Sequence, residues 1–317
     1  MKNDNTGGLG IIGANFARYM RPHAPNAELI AVDWRSDSDA ETRALFDHTH
    51  IGDFSAPQSA ALYDHADVVV HLAATTTVQE SIEDPYQSFE NNVIKTQVLL
   101  DVLRLRAPDC HFVFASTGGA IIGEHDGAIH ENIPPRPVSP YGATKLAVEG
   151  LLSAYTGAFG LRAAALRFSN VYGPGSAHKG SVVAAFCKAY LDTGTLIING
   201  DGTQTRDYVF VEDICQAIFR TIQAQATGPF QLGTGRATSI LELVESFRRL
   251  APGAALDVRH RPALRGEVKH NLCDISHARH ILGYRPDTTL DRGLRQTLDW
   301  FRSTSRHIPC HSRETAA

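Results

Sequence analysis

The sequence predicts a doubly wound α/β fold, a parallel sheet wrapped by helices, followed by a smaller C-terminal lobe. Three observations carry that expectation. A glycine-rich turn opens the chain, strand-like and helix-like segments alternate through the first half, and the alternation loosens into turn clusters after about residue 170.

The opening string Thr6-Gly7-Gly8-Leu9-Gly10-Ile11-Ile12-Gly13 spaces Gly7, Gly10 and Gly13 three residues apart. A backbone that approaches a pyrophosphate closely and then opens a helix cannot carry side chains at such points. A plain strand-to-helix turn would also use glycine, so the context decides. A helical stretch runs to about Met20, and Glu28-Leu29-Ile30-Ala31-Val32-Asp33 reads as a second strand ending in an acid. An acid about twenty residues past the glycines is placed to accept from the two hydroxyls of an adenosine ribose. Asp33 therefore favours NAD over NADP, because its carboxylate repels a 2′-phosphate, although Arg35 follows two residues on. The strand before the glycines is unusual. Lys2-Asn3-Asp4-Asn5 has low strand propensity and is costly to bury. Weak order before Thr6 and a loosened cofactor site are the expectation there.

Further on, Asp67-Val68-Val69-Val70-His71-Leu72 is a buried-strand run, Gln87 to Arg106 has helical periodicity, and His111-Phe112-Val113-Phe114-Ala115 is another strand. Ligands of such sheets gather at the carboxyl ends of the strands. Asp33 and the Ser116/Thr117 pair both fall there, so they should face one crevice. Turn clusters at Tyr172-Gly173-Pro174-Gly175 and Asn199-Gly200-Asp201-Gly202 mark the smaller lobe, and Val209 to Ala226 carries a strand-helix signal that returns to the first. The division is therefore 1–170 with 205–232 for the cofactor, and 171–204 with 233–317 for the substrate.

With 317 residues, 43% of them hydrophobic, the chain can bury one large core or two modest ones. A formal charge of −4 offers no basic patch for nucleic acid, and no run reaches membrane-span length. No charged region with an apolar core precedes the glycines, so a cytoplasmic protein without a signal peptide is expected. Cys110, Cys187, Cys215, Cys273 and Cys310 are odd in number and scattered, which reads as reduced, structural thiols. His307, Cys310 and His311 have ligand-like spacing but lie in a polar tail, and no metal is expected.

The chemistry centres on Tyr141-Gly142-Ala143-Thr144-Lys145 and the preceding Ala115-Ser116-Thr117-Gly118-Gly119. On a helix, Tyr141 and Lys145 share a face. A surface helix with an exposed lysine and a half-buried tyrosine would look the same, so the energetics matter. A free phenol has a pKa of ~10, and a base near neutral pH needs about 3 units, roughly 4 kcal/mol, from its surroundings. An ammonium at ~4 Å in an effective dielectric of ~20 supplies about that much before desolvation, and an oxidised nicotinamide adds a second positive charge.

These strings resemble the extended short-chain dehydrogenase/reductases, and within them the NAD-dependent nucleotide-sugar epimerase/dehydratase group. The resemblance covers nearly the whole chain. It includes Gly52-Asp53, His71-Leu72-Ala73-Ala74, Asn91-Asn92-Val93, Leu166 to Pro174, Gly200 to Val209, Gly266-Glu267 and Asp274-Ile275-Ser276. It implies a Rossmann-type cofactor lobe, a nucleoside diphosphate sugar in the C-terminal lobe, and a homodimer formed through the Gln87–Arg106 helix and the helix beginning near Tyr141. It further implies that Gly7, Gly10, Ile11, Ile12, Gly13, Asp33, Leu72, Ala73, Ala74, Asn92, Tyr141 and Lys145 hold NAD, with Asp53 meeting the adenine. Asn170 and Arg206 would contact the diphosphate or nearby sugar.

The subclass follows from what is missing. Dehydratases of the group carry an Asp-Glu pair just after the central threonine, and decarboxylases carry a nearby Glu; here the positions are Gly118 and Gly119. What remains suffices for 4-epimerisation, with Thr117 orienting the sugar 4-hydroxyl and Tyr141 accepting its proton. By the same resemblance, 4-epimerases restricted to glucose and galactose tend to carry a bulky residue where Asn271 stands, so N-acetylhexosamines are expected alongside hexoses. The chain departs from the group at Leu264, where the diphosphate-binding arginine is displaced to Arg265, and at Ile122, where a tyrosine is common. A reductase that consumes NADPH, or a non-catalytic NAD sensor supported by the polar first strand, are the other readings; cofactor turnover separates them.

Overall fold

The computed structural model describes residues 1–178, 180–250, 256–263 and 268–305. In chain order the first half runs β1 (Lys2–Thr6), α1 (Ile11–His23), β2 (Glu28–Asp33), α2 (Ala40–Arg43), β3 (His48–Ile51), β4 (Val68–His71), α3 (Val78–Glu83), α4 (Pro85–Phe89), α5 (Lys95–Arg106), β5 (His111–Thr117), α6 (Gly118–Ile122), α7 (Pro140–Phe159) and β6 (Arg162–Phe168). The second half supplies β7 (Asn170–Tyr172), α8 (Val182–Asp192), β8 (Thr195–Asn199), β9 (Thr205–Arg206), β10 (Tyr208–Phe210), α9 (Val211–Ala224), β11 (Gly228–Leu232), β12 (Thr238–Ser239), α10 (Ile240–Leu250), β13 (Asp257–Arg261), α11 (Ser276–Leu282) and α12 (Leu290–Ser305).

Seven strands form one parallel sheet in the order β11-β6-β5-β4-β1-β2-β3. The order reverses between β1 and β4, so the chain leaves these neighbours toward opposite faces and opens a crevice at their carboxyl ends. One face buries Phe16 and Met20 of α1, Ile214 and Ile218 of α9, and Ala278 and Leu282 of α11. The other buries Leu99 and Leu103 of α5 with Val148 and Leu152 of α7. A separate core forms from α8, α10 and α12, with Phe186, Phe247 and Leu298 at its centre. The strand-helix signal near Val209 is β10 and α9, and β11 then extends the large sheet beside β6. Where 233–317 was expected to belong wholly to the smaller lobe, Cys273, Ile275, Ala278, Leu282 and Tyr284 pack into the large core instead. The apolar side of α11 has its partners on α9 and β11, which the local sequence does not reveal.

The first strand corrects the expectation of weak order before Thr6. β1 is ordered and central, paired along its length with β2 and β4, and Asn3, Asp4 and Asn5 are fully buried. The two ladders satisfy its backbone whatever the side chains are. The side chains bear the cost. By register, Asn3 and Asn5 face the α1/α9 core beside Leu29, Ala31, Val68 and Val70, while Asp4 faces the α5 side beside Val69. Asn5 Nδ2 donates weakly to the carbonyls of Asn3 and Ile30, but the Asp4 carboxylate oxygens have no partner among the described residues. Burial accordingly raises the Asp4 carboxyl to about 7, with Lys2 opposing.

Candidate active site

A cavity of about 790 Å³ lies along the carboxyl ends of the strands. Its cofactor end is built by the glycine turn. Gly7 adopts φ +69°, and a Cβ there would sit 2.8 Å from the Ala73 nitrogen, so only glycine lets the β1 turn pass the β4 loop. Gly10 is the N-cap of α1, which leaves the first-turn N–H groups facing the cavity. Asp33, at the end of β2, accepts from the Leu9 nitrogen at 3.0 Å and the Arg35 nitrogen at 3.0 Å. It is thereby locked against the turn it serves. Ile11, Ile12, Gly13, Leu72, Ala73 and Ala74 line the same cavity. Asp53 also lines it; burial would raise its carboxyl, but Lys95 at 2.9 Å and Ser55 hold it below the usual carboxylate range.

Asn92 stands behind the wall. Its Oδ1 accepts from the Thr75 nitrogen at 2.8 Å, and its Nδ2 donates to the Thr75 carbonyl at 3.0 Å and to Thr144 Oγ1 at 3.0 Å. It ties the β4 loop to α7, and its neighbour Asn91 lines the cavity instead. A π-turn at Glu90–Ile94, between α4 and α5, sets this phase. Helical periodicity alone cannot reveal such a turn.

The reacting end lies at Thr117, Tyr141 and Lys145. Ser139 caps α7 by accepting from the Gly142 nitrogen, Pro140 occupies its first turn, and Ser81 Oγ accepts from the Tyr141 nitrogen at 3.1 Å. Tyr141 is thus fixed from both sides. Gly142 is required because α7 crosses the Ala120 carbonyl too closely for a side chain. Lys145 Nζ donates to the Ala115 carbonyl at 2.8 Å and sits 4.6 Å from the Phe114 ring centroid and 6.0 Å from that of Tyr141. The expectation that the ammonium lowers the phenol meets a stronger opposing effect. Burial pushes Tyr141 up to about 12 against a hydrogen bond with Thr117, and pulls Lys145 down to about 7 against the charge of Glu149. Desolvation acts on both members of the pair, which the sequence spacing could not weigh.

The substrate end receives Asn170 from the start of β7, Arg206 from β9 and Asn271, all lining the cavity. Arg206 Nη1 donates to the carbonyls of Thr205 and Lys269. The Asn271 amide nitrogen fills the space a side chain at Gly119 would need, and Gln231 does the same at Gly118. Arg265, with Leu264 and Gly266-Glu267, lies outside the described residues, as do His307, Cys310 and His311. Ile122 is a buried core residue. The sequence reading did not single out Thr75, Lys95, Ser169 or His178, which also line the cavity.

Fold and site together define a dinucleotide-dependent enzyme of the doubly wound α/β type, with a tyrosine-lysine pair at its reacting end. The chain belongs to the NAD dependent epimerase/dehydratase family, whose model matches residues 6–233. It is 32% identical over 307 residues to a putative UDP-glucose 4-epimerase of Methanocaldococcus jannaschii, covering 95% of this chain and 98% of that one. It resembles the crystal structure of the Thermotoga maritima UDP-glucose 4-epimerase with UDP-glucose, with a TM-score of 0.89 and 30% identity over 96% of this chain and 100% of that one. The Thermus thermophilus UDP-glucose 4-epimerase complex with NAD is similar at a TM-score of 0.86 and 31% identity, over 95% and 99% of the two chains.

Proposed function

We propose that this chain is an NAD-dependent isomerase that inverts C4 of a UDP-linked sugar through a transient 4-keto sugar. The observation that carries the reading is that Thr117, Tyr141 and Lys145 line one cavity with the glycine turn and Asp33 at one end and Asn170, Arg206 and Asn271 at the other. The close turn at Gly7 and the acid at the end of β2 fit a dinucleotide. The glycine turn and Asp33 would hold NAD, which would supply the hydride acceptor and donor for C4. Thr117 orients the sugar 4-hydroxyl, and Tyr141 removes and later restores its proton. Lys145 holds positive charge beside the phenol.

Elimination fits less well. An acid at position 118 or 119 would have to displace Gln231 or Asn271, so the site is built without the carboxylates a dehydratase uses. We assign residues 1–170 and 205–232 to NAD binding and the remainder chiefly to the nucleotide sugar, with Arg206 at the diphosphate. Asn271 leaves room for UDP-N-acetylhexosamines as well as UDP-glucose and UDP-galactose.

We also assign a homodimer. Tyr86, Phe89, Ile94 and Val98 are exposed along α4 to α5, and Phe159 is exposed at the end of α7, and a paired helical face would cover them. Cytoplasmic residence is supported by the four cysteines among the described residues, which are buried and free. No helix among the described residues is long and apolar enough to cross a membrane. Incubating the protein with UDP-glucose and with UDP-GlcNAc, and following C4 configuration by proton NMR, tests the reading. Formation of the galacto epimer without net NADH supports it, and net NADH formation or no conversion of either sugar contradicts it.

A further inference from the structure

One turn beyond Lys145 on α7 lies a largely covered acid, Glu149, that the reaction above does not use. Glu149 Oε1 accepts from Ser116 Oγ at 2.6 Å and from Arg167 Nε at 3.0 Å, and Oε2 accepts from Arg167 Nη2 at 2.7 Å. The Arg167 and Glu149 side chains are 7% and 10% exposed. Arg167 comes from β6 and Ser116 from β5, beside Thr117, so the fork joins helix α7 to the ends of two strands. A buried guanidinium-carboxylate pair gains little stability over well-packed apolar residues, so stability alone does not account for this one.

Its placement does. Lys145 and Glu149 are four residues apart on one helix face, while Lys145 as a residue is 2% exposed and its ammonium has one described hydrogen-bond acceptor, the Ala115 carbonyl. The other groups around it give no counter-charge. Tyr141 is neutral unless it is acting as base, Phe114 presents a ring, and His71 on β4 is held neutral between Thr6 and Thr96. Arg167 is itself a cation. We infer that Glu149, clamped by Arg167 and Ser116, is a positioning residue that serves as the fixed counter-charge for Lys145, holding the lysine ammonium in the charged form that the tyrosine base requires.

This rests on the epimerase reading, and its test is arranged so that the two fail separately. Competitive acetylation of Lys145 across pH, read by mass spectrometry on the whole protein, reports the lysine charge without turnover. In Glu149→Gln the labelling midpoint is expected to fall by about a pH unit. In turnover, the same variant should lose tenfold or more of kcat with a smaller change in KM, and its activity should stop rising with pH at a lower value than in the wild type. NAD affinity should stay within about twofold. The double variant Glu149→Gln/Arg167→Met leaves no unpaired guanidinium and carries the same test if the single variant does not fold. Glu149→Asp should recover part of the loss. An unchanged Lys145 midpoint overturns the assignment, as does a double variant with wild-type kcat and pH profile. A labelling midpoint that falls in Glu149→Gln, together with a wild type that epimerises no UDP-sugar, refutes the epimerase reading and leaves the Glu149 role standing.

Discussion

Asn271 occupies the space in which a side chain at position 119 would begin, so the glycine just after β5 and the asparagine that follows β13 in the chain are one structural unit. Gly119→Ala should push Asn271 toward the sugar and cost at least tenfold in kcat/KM with little change in NAD affinity. Steady-state kinetics beside a cofactor titration checks this.

The proposed sugar selectivity rests on the same contact. Replacing Asn271 by tyrosine should remove turnover of UDP-GlcNAc while leaving that of UDP-glucose within tenfold, because pocket volume discriminates best when a group must be excluded. The ratio of kcat/KM for the two sugars is the measurement.

Tyr141→Phe removes the proton acceptor and keeps the ring. It should lower kcat by about a thousandfold or more while NAD still binds. Burial raises Tyr141 to about 12 and lowers Lys145 to about 7, so activity in the wild type should rise with pH up to about 7 and then level, because beyond that each gain in phenolate is matched by a loss of ammonium. A pH profile of kcat in wild type and Lys145→Met tests this; the lysine variant, slower throughout, should keep rising above that pH.

Asn92→Ala removes the clamp between Thr75 and Thr144 without touching the cavity surface. Leaving the buried groups unpaired costs about 1–3 kcal/mol. Part of that should appear as roughly tenfold weaker NAD binding, measurable by calorimetry.

Asp4 makes a prediction about stability. Its carboxyl is raised from 3.8 to about 7 in the folded chain, so the folded state holds the proton more tightly and stability falls as pH rises through that interval. Asp4→Val should raise the melting temperature, and its advantage over wild type should grow between about pH 4 and pH 7 and then level off. Thermal melts of both proteins across that range check the sign.

Much of this was legible from residue order. The strand Glu28–Asp33, the glycine spacing and the Tyr141/Lys145 pair each depend on local geometry, and each stands where its spacing puts it. β1 was misjudged because side-chain propensity says nothing about two flanking ladders, which hold Asn3 to Asn5 in place. The roles of Asn92 and Glu149, and the packing of α11 on the large core, depend on partners distant in sequence. So does the balance of burial against charge at Tyr141, where local pattern carries no information.

The most direct test of the central claim follows a label. UDP-glucose deuterated at C4, incubated with the protein in light water, should give UDP-galactose that retains the deuterium at C4, because the carbon-bound hydrogen never exchanges with solvent while Tyr141 handles only the hydroxyl proton. Loss of the deuterium to water during epimerisation would contradict the account.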